Sequence, residues 1–210
     1  MGEPAESVES GAAFLFSRIA SRVLNPLYLT PLAILAISMH ETTDWASGLR
    51  WFALYVAFST VIPLADLAVR RRIGRISDWH ISRREERLAP LIFGLAYASA
   101  GTLTMLLLKA PRALSACMVT GLATGITALL ITLGWKISLH TMGNALLAAL
   151  LFMVLRPGWG SPLTWLLCLL VAITGASRVF LKQHTPWQVL AGAAVGVGVG
   201  YSVFLAFGLA

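Results

Sequence analysis

The chain has 210 residues, of which 58% are hydrophobic and only 12% charged, and it carries a net charge of +7. That balance, with a positive mean hydropathy, excludes a soluble globular domain and makes lipid the solvent. The basic residues sit between apolar runs, which leaves no soluble basic domain to hold nucleic acid and makes anionic lipid headgroups and the bilayer the expected partners. In chain order, residues 1–11 are acidic and polar, and no small-residue cleavage pattern follows an apolar core, so no removable signal peptide is expected. Residues 12–24 place Arg18 and Arg22 among apolar residues at helical spacing, the pattern of an amphipathic helix at a membrane interface.

Apolar runs follow at 26–40, 48–69, 89–109, 113–134, 139–156, 162–177 and 186–208. The first is short and interrupted by Pro26 and Pro31, so the expectation is an all-α, polytopic transmembrane helical bundle of six to seven helices. Residues 1–25 read as a polar tail with an interfacial helix, and 26–210 as one transmembrane domain. Segment 70–88, RRRIGRISDWHISRREERL, is too charged to cross and reads as lying on the surface. Cys117 and Cys168 fall inside apolar runs, make no metal-ligand spacing and carry no redox signal. Gly192, Gly196 and Gly200 recur every fourth residue in the last run and predict close helix packing within the bundle.

Threading the runs alternately puts segment 70–88, the junction at 136–140 and the junction at 177–184 on one face. That face collects twelve of the sixteen lysines and arginines, with Arg50, Lys109, Arg112 and Arg156 opposite. The positive-inside rule then predicts a cytoplasmic location for all three polar clusters, in what reads as a cell inner membrane. Polar groups at membrane depth are expensive, so the chemistry is sought there. In SRVFLKQHTPWQ, Arg178 ends one run, Thr185 and Pro186 read as N-cap and first residue of the next helix, and His184 stands at a positive helix terminus. Gln188, four residues on, is placed to orient one ring nitrogen and leave the other free to attack, so His184 and Gln188 are candidates for nucleophile and partner. At Lys136-Ile-Ser138-Leu-His140, Ser138 would cap the next helix, its hydroxyl and the following N–H groups could hold phosphate oxygens, and His140 could protonate a leaving oxygen. Arg84 and Arg87 would share a helix face, with guanidinium forks suited to phosphate. Asp66, beside the arginines at 70–72, reads as an ion-pair partner.

Ser177-Arg178, five residues, then His184 resembles the third motif of the type 2 phosphatidic acid phosphatase family. Ser138 and His140 resemble its second motif, and Arg87 the arginine of its first. The sequence differs from those motifs in having Gln188 for Asp, Ile137 and Leu139 for Pro and Gly, and His80 at the place of a lysine, a role for which Lys136, Arg83 and Arg84 are substitutes. The resemblance implies a membrane lipid phosphatase acting on phosphate monoesters or diphosphates. His184 would form a phosphohistidine, His140 would serve as acid toward the leaving group, and Arg178, Ser138 and Arg87 would hold the phosphate, with no metal or cofactor. The Gln at 188 is shared with the polyprenyl-type relatives and tilts the implied substrate toward a polyprenyl phosphate or diphosphate rather than phosphatidic acid. A prenyl-transferring enzyme would need paired aspartates, whereas Asp78 stands alone. A catalytically silent lipid-phosphate binder or transporter on the same fold is the alternative.

Overall fold

The computed structural model describes residues 11–77, 86 and 88–210. These residues form eight helices and no strand: α1 Ala12–Val23, α2 Pro26–His40, α3 Trp45–Arg72, α4 Leu88–Leu107, α5 Arg112–Gly134, α6 Leu139–Leu155, α7 Pro162–Phe180 and α8 Pro186–Ala206. The all-α polytopic bundle is therefore as the sequence predicts. By length and composition α3, α4, α5, α7 and α8 can each cross a membrane, and α1 with α2, bent by 50°, gives a sixth if the pair counts as one span. The short run at 26–40 is thus one limb of a bent pair. The run at 139–156 becomes α6, 17 residues long, or about 26 Å, short of a hydrocarbon layer about 30 Å thick. Helices α8, α7 and α2 pack around α6, so much of its surface meets protein rather than lipid.

Helix starts follow from capping chemistry. Asn25, Ser161 and Thr185 each accept a hydrogen bond from a backbone N–H of the helix they open, and each is followed by a proline, whose missing N–H costs nothing at the first helical position. Helix α3 continues past its expected apolar limits, through a π-helical turn at Ala57–Val61. Pro63, two residues beyond the turn, has no N–H for the ordinary ladder, so the helix widens there instead of breaking. The end of α3 is fixed by Arg70, whose Nε donates to Asp66 at 2.6 Å and whose guanidinium lies 4.3 Å from the centre of the Phe93 ring on α4. The Asp66 pairing expected from the sequence is present.

Helices α6 and α8 run parallel, with α7 returning between them. The contact needs glycine, because a Cβ at Gly192 would lie 2.7 Å from the Ser138 carbonyl oxygen and one at Gly196 would meet the Met142 carbonyl oxygen. The glycine repeat therefore packs α8 on α6 and brings two helix N-termini to one end of the bundle. The opposite end carries the apolar core of Ile34, Ile37, Met105, Leu114, Leu150 and Phe204. Arg112 and Arg156 close that end by donating to the Phe207 and Leu209 carbonyls beyond α8. Toward the other end, Ser138, Thr141, Asn144, Thr174 and Ser177 are buried polar side chains of α6 and α7.

Candidate active site

The site end is built first by the junction of α7 and α8. Leu181 ends α7 and Lys182 takes a left-handed backbone, φ 54°, which turns the chain so that the Gln183 and His184 N–H groups both point to the Arg178 carbonyl, at 3.1 and 3.3 Å. Thr185 then caps α8: its Oγ1 accepts from the Gln188 N–H at 3.3 Å, and its own N–H donates to Gln188 Oε1 at 3.2 Å. The five residues between Arg178 and His184 are the length of this closed junction. His184 is held between two capped helix ends.

The same Gln188 Oε1 lies 3.2 Å from His184 Nδ1. A backbone N–H can only donate, so the atom facing Thr185 is the amide oxygen, and a histidine nitrogen bonded to that oxygen must carry the hydrogen. The remaining ring nitrogen, Nε2, then holds a lone pair. Burial draws the imidazole below its ordinary pKa, the Gln188 hydrogen bond opposes this, and the charges of Lys136 and Arg178 add to the lowering. The neutral, nucleophilic form is favoured.

The second wall is the start of α6. Ser138 is fully buried, accepts from the Thr141 N–H at 3.4 Å, and shares a 2.9 Å hydrogen bond with the Thr141 hydroxyl. Its N–H donates to the Gln188 carbonyl at 3.2 Å, which ties the two helix starts together. Its hydroxyl is therefore engaged in capping, and the half-buried His140 follows two residues later in the first turn. Lys136 Nζ donates to the Gln183 carbonyl at 2.8 Å, bridging the two junctions. Arg178, in the last turn of α7, donates from Nη1 to Ser21 Oγ at 2.7 Å, and its buried Nε–H meets no acceptor among the described residues.

Of the residues singled out in the sequence, His184, Gln188, Arg178, Lys136, Ser138 and His140 thus belong to two junctions at one end of the bundle. Arg84 and Arg87, with His80 and Arg83, lie outside the described residues. Sequence reasoning passed over Asn144, fully buried one turn below His140, whose Nδ2 donates to the Leu24 carbonyl and to Thr174 Oγ1, both at 2.8 Å. An asparagine inside an apolar run was the available signal. Among the described residues no three of His, Cys, Asp and Glu gather as a metal site would require.

A family model described as the PAP2 superfamily matches residues 89–209, more than half of the chain. The chain belongs to the PAP2 superfamily. Members of the PAP2 superfamily are phosphatases, which places this chain among membrane-embedded phosphoric ester hydrolases. The PAP2 match spans both junctions and α4 to α8, and leaves α1 to α3 outside it. No curated protein and no solved structure matches the chain.

Proposed function

We propose that this PAP2 protein hydrolyses a lipid phosphate monoester or diphosphate by double displacement through His184, without a metal. The observation that carries the reading is the hydrogen bond from His184 Nδ1 to Gln188 Oε1, because it leaves the Nε2 lone pair free beside a cluster of cations and helix N-termini. In the first step Nε2 attacks phosphorus, the bond from phosphorus to the leaving oxygen breaks, and that oxygen takes a proton from His140 in its imidazolium form, which burial disfavours and the charge of a bound phosphate favours. In the second step water attacks the phosphohistidine, neutral His140 takes the water's proton, the N–P bond breaks and phosphate leaves. The bridging cation Lys136 and the Nε–H of Arg178, which meets no acceptor among the described residues, hold the phosphate oxygens with Arg84 and Arg87 from segment 70–88. Ser138 acts by fixing the N-terminus of α6.

A lipid substrate is supported by the surroundings. An apolar groove of about 510 Å³ between α6, α7 and α8 starts at Ala145 and Ala193, one to two turns from the site, and reaches Trp159. A hydrocarbon chain can lie there while its phosphate stays at the polar end. The Gln188 resemblance favours a polyprenyl phosphate or diphosphate over phosphatidic acid, and the basic excess on the site's face favours a cytoplasmic orientation in a cell inner membrane. The test is phosphate release in detergent with EDTA, from phosphatidic acid, phosphatidylglycerol phosphate and polyprenyl mono- and diphosphates, comparing native protein with His184→Ala. The proposal expects release by the native protein alone. Lipid binding without release by either protein would instead favour a silent binder or transporter.

A further inference from the structure

Helix α1 lies outside the segment matched to the family, yet it touches the site. Its small polar side packs on α7: Ser17, Ala20 and Ser21 are buried, while Leu15, Phe16 and Ile19 face outward. Two hydrogen bonds pin its end. Ser21 Oγ accepts from Arg178 Nη1 at 2.7 Å, and the carbonyl of Leu24, at the bend into α2, accepts from Asn144 Nδ2 at 2.8 Å. Asn144 Nδ2 also donates to Thr174 Oγ1, and Thr174 and Arg178 stand one turn apart on one face of α7. The corner of α1 and α2 is therefore docked on the helix face that presents the arginine.

The geometry points to Ser21 as a positioning residue for the phosphate site, holding one limb of the Arg178 guanidinium so that its buried Nε edge stays turned to the anion. An arginine side chain has several rotatable bonds and a fork of five N–H donors, so the direction of the fork must be set by something that takes one donor out of play. The Ser21 hydroxyl does this, and the buried Nε–H left without an acceptor is costly unless an anion meets it. Asn144 supports the arrangement from below by keeping the corner in place. The inference rests on the reading of Arg178 as a phosphate ligand.

Ser21→Thr and Ser21→Val test it, since the two side chains have the same shape and helix preference and differ only in hydroxyl against methyl. The full chain in detergent is titrated with inorganic phosphate by calorimetry, and its melting temperature and the kinetics of its fastest lipid phosphate are recorded. The expected result is native-like phosphate binding in Ser21→Thr and binding weaker by about tenfold in Ser21→Val, the scale of one hydrogen bond to a charged group. The two variants should melt together, and Ser21→Val should add nothing in an Arg178→Ala background. Equal phosphate binding by Ser21→Thr and Ser21→Val, with Arg178→Ala defective, would overturn the positioning role and leave the phosphatase reading standing. Native phosphate binding by Arg178→Ala would remove Arg178 from the site and overturn both the positioning role and the reading of Arg178 as a phosphate ligand.

Discussion

The reactivity assigned to His184 depends on a neutral partner. Gln188 Oε1 is fixed by the Thr185 N–H and holds the histidine tautomer, but it offers no charge to an imidazolium. With burial depressing the His184 pKa, the acid limb of the pH–rate profile should lie below the ordinary imidazole range, because the nucleophile stays neutral as pH falls until that depressed pKa is reached. Gln188→Glu places a carboxylate on Nδ1, favours the protonated ring and should move the acid limb to higher pH, measured as kcat/KM against pH. Lys136→Met should move it the same way by removing a cation that disfavours protonation. Gln188→Ala should cost about 10- to 100-fold in kcat, the usual effect of losing a partner that orients a functional histidine, with little change in KM.

At the scale of elements, the site is set by how closely α8 lies on α6. Gly192→Ala must drive a methyl group against the Ser138 carbonyl, which is backbone and cannot swing aside. It should destabilise the protein by about 2 kcal/mol, within the usual cost of overpacking, and lower activity by parting Ser138 from Gln188. Gly198→Ala, which faces open space, is the matched control and should leave the denaturation midpoint near native. The left-handed Lys182 is a second strained point, and Lys182→Gly should relieve about 1 kcal/mol, read from the same thermal or denaturant midpoints. Both predictions concern backbone fit, so neither should shift the pH profile.

For the whole molecule, alternate threading predicts that the junctions at 136–140 and 181–185 share one side of the membrane and the loop at 156–161 lies on the other. In a Cys168→Ala background, a membrane-impermeant maleimide should label Gln183→Cys only from the cytoplasmic side and Gly160→Cys only from the opposite side; the reverse pattern would contradict the orientation. Much of this plan was legible in sequence, because apolar runs, capping residues and the spacing from Arg178 to His184 are local signals that the helices and the closed junction obey. The glycine repeat likewise foretold close helix packing in the bundle, but not that α6 is the partner. What stayed hidden depends on contacts across the fold: the bend joining α1 to α2, the shielding of short α6, and the links from Ser21 to Arg178 and from Asn144 to Leu24, 157 and 120 residues apart. No local pattern encodes such pairings. The central claim, covalent catalysis at His184, is tested most directly by rapidly quenching the protein with a phosphate ester whose leaving group needs no acid, such as p-nitrophenyl phosphate, and locating the bound phosphoryl group by mass spectrometry. The account predicts an acid-labile phosphoryl group on His184 that accumulates in His140→Ala and is absent from His184→Ala. Turnover with no phosphorylated residue, or with the phosphoryl group elsewhere, would contradict it.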